Sequence, residues 1–167
     1  MPRAKAARRK HAATVLLSGG IDSTACARFV QERSFEVSAV FVDYGQLPAR
    51  LEYRAAKAIA AYLDIPPKRV NATDIGFGRA GEIPGRNAFF VCSAILITGA
   101  RPGVIVLDLH DGTPYYDCSE PFLLGPCSNI SGIFPSGRNA NFILAPCVNS
   151  RYTVEGSSAY TVLLRYH

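Results

Sequence analysis

A run of small and hydroxyl residues directly after an apolar segment is the part of the sequence best suited to chemistry. It reads Leu17-Ser18-Gly19-Gly20-Ile21-Asp22-Ser23-Thr24. Two adjacent glycines permit positive φ and leave no Cβ in the way of a ligand. Where such a turn leads into a helix, unpaired N–H groups and the helix dipole favour an anion. The run therefore predicts a phosphate site, to which Ser18 and Ser23 add hydroxyl groups.

Asp22 is a carboxylate inside this predicted anion site, which is favourable when a cation is bound as well. A hard cation such as Mg²⁺ can join a carboxylate to phosphate oxygens, so Asp22 predicts a magnesium ion held with the phosphates. Neither Gly-x-x-x-x-Gly-Lys-Ser/Thr nor Gly-x-Gly-x-x-Gly occurs in the chain, and the loop has no lysine. The loop is therefore not of the Walker type, which argues against transfer of a γ-phosphate.

The elements that must position this loop alternate between strand and helix patterns. Short apolar runs predict strands at residues 12–17, 37–42, 69–71, 104–107 and 142–144. Helices are predicted directly after the glycine pair and at residues 49–63 and 88–98. No element is predicted for residues 150–167. The order βαβαβ(loop)αβ predicts an α/β fold with a doubly wound, mainly parallel sheet.

Polar segments follow three of these predicted strands, at residues 18–23, 43–46 and 108–117. Parallel sheets bind their ligands outside the carboxyl ends of the strands. We therefore expect the three segments to meet at one edge of the sheet and to form a single site.

Composition is that of a globular chain of one domain's size, with 167 residues, 49% of them hydrophobic and 19% charged. No apolar run approaches the roughly 20 residues that span a bilayer, so no membrane segment is predicted. The formal net charge is +5, and residues 1–11 carry five lysines and arginines without an acid. These residues are expected to form a disordered basic tail. Attraction to nucleic acid is the alternative, and the lack of interleaved aromatic residues argues against it.

Five cysteines are spaced irregularly, at Cys26, Cys92, Cys118, Cys127 and Cys147. They form no C-x-x-C pair, whereas structural zinc sites take closely spaced pairs, so no zinc is predicted. An odd count without a secretion-signal pattern favours reduced thiols and a cytoplasmic location.

Ser-Gly-Gly-x-Asp-Ser after a strand resembles the loop of the N-type ATP-pyrophosphatase (PP-loop) superfamily, whose fold is adenine nucleotide alpha hydrolase-like. Three further segments resemble the 7-cyano-7-deazaguanine synthase (QueC/ExsB) family. They are Asp43-Tyr44-Gly45-Gln46 followed by Glu52, then Pro84-Gly85-Arg86-Asn87, and then the block from His110 to Cys118 with Phe122. Order and spacing agree from Val15 to about Phe122.

This resemblance implies an ATP-dependent carbon–nitrogen ligase that cleaves ATP between the α- and β-phosphates. The implied reaction adenylates the carboxylate of a 7-deazapurine, which ammonia then converts to an amide and a nitrile in queuosine precursor synthesis. ATP and magnesium are the implied cofactors, and the partners are small molecules. We expect a PP-loop domain at residues 12–124 and a diverged or truncated C-terminal segment at residues 125–167. Apolar surface left uncovered by that segment would favour a homodimer.

The resemblance also implies roles for individual residues. Asp22, as a magnesium ligand, and Arg86 are the implied catalytic pair. Implied nucleotide-binding residues are those of the loop together with Asp43 and Tyr44. Implied substrate-binding residues are Arg86, Asn87, Asp111, Tyr116, Asp117 and Cys118.

Each of these assignments has a structural alternative. The planar guanidinium group of Arg86 suits a carboxylate or phosphate. The structural alternative is that Arg86 lies on the surface or caps a helix. Asn87 binds a purine or caps the following helix. Asp111 and Asp117 accept hydrogen bonds from the N–H groups of a guanine-like ring, bind a metal or form turns. Cys118 belongs to the matched block, although a lone cysteine without a nearby base is often an inert packed thiol. Tyr44 and Tyr116 stack on a base or pack in the core.

The chain departs from the family pattern in two places. The family's C-terminal cysteine cluster, which binds zinc, has no counterpart, since Cys127 and Cys147 are twenty residues apart. Leu47-Pro48-Ala49 stand where basic and histidine residues are usual. Two interpretations remain open: a short, diverged member with another substrate, or a reading frame altered near the end. The alternative function is a non-catalytic or degenerate nucleotide-binding module of a larger system.

Overall fold

The computed structural model describes residues 12–75, 83–98, 103–110, 116–118, 121, 140–146 and 159–166. The described strands are β1 (Ala12–Leu16), β2 (Glu36–Asp43), β3 (Pro67–Asn71), β4 (Gly103–His110), β5 (Ala140–Pro146) and β6 (Ala159–Tyr166). The described α-helices are α1 (Ile21–Glu32), α2 (Ala49–Tyr62) and α3 (Arg86–Thr98). Short 3-10 turns lie at Thr73–Ile75 and Tyr116–Cys118.

In the described part of the chain, six strands form one sheet in the order β3-β2-β1-β4-β6-β5. The first four are parallel, and β6 is antiparallel to both β4 and β5. The chain runs outward from β1 to β3 and then crosses back to place β4 on the other side of β1. This reversal next to β1 is the switch point at which α/β sheets bind ligands.

Helices cover both faces of the parallel strands. Along each strand, alternate side chains point to opposite faces. Val15 and its counterparts on β2 and β4 pack under α1 and α2. Leu16 and its counterparts pack under α3. The α/β prediction with a doubly wound, mainly parallel sheet is therefore confirmed.

Helix α3 begins two residues earlier than its apolar pattern predicts. Gly85 adopts φ of +77°, a conformation that other residues rarely take, and it turns the chain directly into the helix. Arg86 thereby becomes the first residue of α3, and its backbone N–H bonds to the carbonyl oxygen of Ile83 at 3.1 Å. The arginine is thus attached to a rigid element.

Strand β6 is an element that the sequence pattern does not predict. All eight of its residues pair with β4, from Gly103 opposite Tyr166 to His110 opposite Ala159. Strand β5 contains the predicted strand at 142–144 and extends it. The partition at residue 124 and the disordered tail stay predictions, and residues 1–11 lie outside the described residues. None of the described helices is both long and apolar enough to cross a membrane.

Candidate functional site

The carboxyl ends of β1, β2 and β4 surround a cavity of about 240 Å³. Its polar lining consists of Ser18, Ser23, Tyr44, Gln46, Glu52, Arg86, Asn87 and Asp108. Its apolar lining consists of Leu16, Leu17, Val40, Phe41, Val42, Phe90 and Leu107. Each of the three polar segments that follow predicted strands contributes to this lining, so all three reach one edge of the sheet.

The glycine pair shapes the loop between β1 and α1. Gly19 adopts φ of +87°, and a Cβ there would lie 2.8 Å from the carbonyl oxygen of Glu52 and 2.9 Å from the backbone nitrogen of Ala56. Gly20 has an extended backbone, with φ of −78° and ψ of 168°, and it precedes α1 without any side-chain cap. Gly19 is therefore required both by conformation and by the close approach of α2.

The hydroxyl groups of three side chains form hydrogen bonds within the loop. Oγ of Ser18 and Oγ of Ser23 are hydrogen-bonded at 3.1 Å, and the N–H of Gly20 donates to Oγ of Ser18 at 3.3 Å. Oγ1 of Thr24 donates to the carbonyl oxygen of Gly20 at 2.6 Å. Thr24 therefore supports the loop, whereas Ser18 and Ser23 also line the cavity.

Three other predicted loop residues differ in position. Leu17 is buried in the core under α1 and also reaches the cavity. Ile21 is 83% exposed at the start of α1. Asp22 lies in the first turn of α1 and is not among the residues that line the cavity. Its predicted contact with magnesium stays a prediction.

Arg86 lines the cavity, and its guanidinium group lies near the ring of Phe90, which lines it too. Its Nε is buried and has no hydrogen-bond partner among the described residues, and its Cζ lies 5.7 Å from the ring centre of Phe90. Buried donors are almost always paired in folded proteins, so an unpaired one next to a cavity indicates a ligand acceptor. The residues present therefore fit an anionic ligand, as the glycine loop does.

Buried Asn87 and Asp117 form a cluster with half-buried Cys118 at the start of α3. The backbone N–H of Asn87 donates to Oδ2 of Asp117 at 3.1 Å, and its Nδ2 donates to the carbonyl oxygen of Asp117 at 3.1 Å. Nδ2 also lies 3.4 Å from Sγ of Cys118. Asn87 reaches the cavity, whereas Asp117 and Cys118 are not part of its lining.

Asp43 and Tyr44 are neighbours in sequence with different surroundings. Asp43 is 5% exposed; its Oδ1 accepts from the N–H of Gly45 at 3.1 Å, and its Oδ2 accepts from Nη2 of Arg69 at 2.5 Å. It does not line the cavity. Tyr44 does, and its ring centre lies 5.4 Å from that of Phe90. Of the two, Tyr44 is the one positioned to meet a flat ligand ring.

Gln46, Glu52 and Asp108 line the cavity, although the sequence analysis predicts no individual role for any of them. Nε2 of Gln46 donates to Oε2 of Glu52 at 2.9 Å, and Oε1 of Gln46 accepts from the N–H of Tyr44 at 3.0 Å. This pair ties the end of β2 to α2. Gln46 and Glu52 lie in one of the segments that carry the family resemblance, and Asp108 begins another polar segment. The position of each residue in one of these segments was the sequence feature that could have identified it as part of the site.

The remaining predicted residues are Asp111, Tyr116 and the cysteines. Asp111, Cys127 and Cys147 fall outside the described residues, so the zinc prediction is untested. Tyr116 is 62% exposed and does not line the cavity. No three His, Cys, Asp or Glu side chains among the described residues are grouped to hold a metal. On α3, burial raises the pKa of the Cys92 thiol above its ordinary value.

The fold and the cavity together define a class: α/β domains with a cavity at the carboxyl edge of a parallel sheet and a glycine-rich loop at a helix start, an arrangement suited to binding anions. The model of the family described as "Queuosine biosynthesis protein QueC" matches residues 12–81. This segment contains the glycine loop, Asp43 and Tyr44.

Comparison with individual proteins indicates the same family. The chain is 32% identical to a 7-cyano-7-deazaguanine synthase of Novosphingobium aromaticivorans, over 68% of this chain and 58% of the relative. It is 33% identical to one of Lysinibacillus sphaericus, over 69% and 63%, and 28% identical to one of Campylobacter concisus, over 82% and 73%. The chain belongs to the QueC family. It spans less than two thirds of the first two relatives.

Among solved structures, a protein of Methanocaldococcus jannaschii described as "predicted subunit of tRNA methyltransferase" aligns with a TM-score of 0.32. The identity is 18%, over 53% of this chain and 38% of that chain. This similarity is too low to bear on fold or function.

Proposed function

We propose that this chain is an ATP-dependent ligase of the PP-loop type, which activates the carboxylate of a 7-deazapurine for conversion to an amide and a nitrile. The reaction belongs to queuosine precursor synthesis. The observation that carries the proposal is a shared cavity: Ser18, Ser23 and Arg86 all line it, and the buried Nε of Arg86 has no hydrogen-bond partner among the described residues.

Phosphate binding is assigned to the loop. Gly20 brings no side chain to the start of α1 and forms no side-chain cap there, while Gly19 lets the loop pass directly against α2. Backbone N–H groups at a helix start attract phosphate. In this proposal Ser18 and Ser23 donate to phosphate oxygens, and Asp22 holds magnesium together with the phosphates.

Substrate binding is assigned to the opposite wall of the cavity. Arg86 supplies a planar, permanently charged fork for a carboxylate or phosphate. Tyr44 and Phe90, with ring centres 5.4 Å apart, supply aromatic surface for a purine-like ring. Bound ATP supplies the adenylyl group that makes a carboxylate oxygen a leaving group, and the buried apolar lining helps to exclude water.

The testing experiment incubates the chain with magnesium, ATP, ammonia and 7-carboxy-7-deazaguanine, and resolves nucleotides and purines by mass. AMP, pyrophosphate and the nitrile together would support the proposal. AMP without nitrile would support adenylation but would indicate a different substrate. Bound ATP without AMP would favour the non-catalytic nucleotide-binding module.

Two variants sharpen this experiment. Arg86→Ala removes the charged fork and is expected to abolish most product formation. Gln31→Ala removes a hydrogen bond of 2.6 Å from Nε2 of Gln31 to the carbonyl oxygen of Leu63, at the end of α1 away from the cavity. This control is expected to lower stability without lowering the rate of the folded enzyme.

A further inference from the structure

We propose that Asp117 is a positioning residue that holds the first turn of α3, so that Arg86 presents its guanidinium group to the cavity. In this inference Asp117 acts through Arg86 and does not touch the ligand. It rests on the proposed function for the choice of nucleotide and purine probes.

Two hydrogen bonds connect Asp117 to the residue directly after Arg86. Oδ2 of Asp117 accepts from the backbone N–H of Asn87, and the carbonyl oxygen of Asp117 accepts from Nδ2 of Asn87, each at 3.1 Å. Asn87 is 3% exposed and Asp117 is 9% exposed. Bonds this deeply buried compete little with water and hold their geometry well.

The bonded N–H belongs to the first helical turn. The first four N–H groups of a helix have no partner within it, and a carboxylate near them is also favoured by the helix dipole. In α3 the N–H of Asn87 obtains its acceptor from Asp117, which lies 30 residues further along the chain. Helix α3 therefore depends on the turn at Tyr116–Cys118 for the anchoring of its start.

The anchoring matters because of what the neighbouring residue does. Nε of Arg86 is buried next to the cavity without a partner among the described residues. The position of a long side chain depends in part on how firmly the surrounding structure holds its backbone. Asp117 fixes this backbone, yet it does not belong to the cavity lining, which distinguishes support of Arg86 from direct contact with a ligand.

A double-mutant cycle tests the inference. Affinities for Mg·ATP, 7-carboxy-7-deazaguanine and inorganic pyrophosphate are measured by calorimetry for the wild type, Asp117→Ala, Arg86→Ala and the double variant. Arg86→Ala is expected to weaken at least one probe about tenfold, as loss of a charge-assisted hydrogen bond does. Asp117→Ala is expected to weaken the same probe about fivefold alone and less than about twofold when Arg86 is already absent.

A conservative variant separates positioning from direct recognition. Asp117→Asn keeps an oxygen that can accept from the N–H of Asn87, and it is expected to recover most of the affinity lost in Asp117→Ala. A direct contact with a metal ion would make Asp117→Asn nearly as damaging as Asp117→Ala, because a neutral amide binds a hard cation less strongly than a carboxylate does. That result would overturn the inference.

Loss of stability alone has to be excluded. Hydrogen exchange is expected to accelerate at residues 87–90 in Asp117→Ala. The Gln31→Ala variant, adjusted by temperature to the same folded fraction, is expected to keep the affinity of the wild type. If Gln31→Ala weakens the same probe equally, or residues 87–90 exchange as in the wild type, the inference fails.

The outcomes also distinguish the inference from the proposed function. The double-mutant cycle with inorganic pyrophosphate can show coupling between Asp117 and Arg86 even if no AMP is formed from ATP. That result would contradict the proposed function and support the inference. AMP formation together with strictly additive effects of the two variants would support the proposed function and contradict the inference. Failure of all three probes to bind the wild type would overturn both.

Discussion

Gly19 lies directly against the backbone of Glu52, so that a Cβ on Gly19 would stand only 2.8 Å from the Glu52 carbonyl oxygen. The side chain of Glu52 meanwhile lines the cavity. Helix α2 therefore fixes the shape of the glycine loop and supplies part of the cavity wall at the same place. A substitution at Gly19 should therefore disturb both the loop and the cavity wall.

Gly19→Ala is expected to lower the free energy of unfolding by roughly 2 kcal/mol or more, since a positive φ and a backbone clash act together. Gly20→Ala is the matched control, because its Cβ would meet only Oγ of Ser18 at 3.4 Å. It is expected to cost about 1 kcal/mol or less, the loss of a glycine helix cap. Urea unfolding measures both. Equal losses would contradict the close approach of α2.

Asp22→Ala is expected to weaken ATP binding about tenfold in the presence of magnesium, since a cation loses a carboxylate ligand. With a chelator present, the two proteins are expected to bind ATP alike. The fold should persist, because an acidic residue in the first turn contributes only about 0.3–1 kcal/mol. Isothermal calorimetry with and without magnesium measures the difference.

The control for that variant is Glu32→Ala, in the last turn of the same helix, where Glu32 forms an exposed ion pair with Arg28. It should leave ATP affinity unchanged. An Asp22→Ala protein that binds Mg·ATP as the wild type does would remove Asp22 from the magnesium site.

Arg69→Ala is expected to destabilise the fold by about 1–2 kcal/mol, because it leaves the buried carboxylate of Asp43 without its charged partner. The estimate is kept low because the Arg69 side chain is 43% exposed and its charge is screened by solvent. The guanidinium also lies over the ring of Tyr53, at 4.6 Å from its centre. Lys68→Ala, on the same strand, should cost less than about 0.5 kcal/mol. Similar losses for both variants in urea would argue against this ion pair.

Cys92 is expected to react slowly with iodoacetamide near neutral pH, since burial raises its pKa and the thiolate is the reactive form. The folded protein holds this proton more tightly than the unfolded chain does. Its contribution to stability is therefore full below the ordinary thiol pKa and is lost as pH rises through the folded pKa. Mass spectrometry of the alkylated peptide, with the protein in urea as reference, measures the rate. Equal rates in the two states would contradict the burial of this thiol.

Part of the site could be predicted because its signal is local. A glycine pair between an apolar strand and a helix specifies an anion loop within about eight residues, and polar segments at the ends of strands reach the same edge of any parallel sheet. Tyr44 and Arg86 belong to such segments or to the matched motifs, and both line the cavity. Their predicted contacts with ligands await the experiments above.

Other parts of the site depend on distant partners. Asp43 stands in a predicted binding segment, yet its carboxylate is bonded to Arg69, 26 residues away. Asp117 bonds to Asn87 across 30 residues and reaches the start of α3 instead of the cavity lining. Neither pairing follows from local spacing, since it depends on how β2, β3 and β4 are ordered around β1.

The sequence by itself determined the strand and helix alternation, the α/β class, the glycine loop and the edge of the sheet where a ligand would bind. These features follow from hydrophobic period and backbone freedom, which are properties of neighbouring residues. Only the tertiary structure decided which polar groups line the cavity and which are bonded to one another, and that β6 lies antiparallel to β4. A hydrogen bond between distant residues forms only after the strand order brings them together, and no local pattern encodes that order.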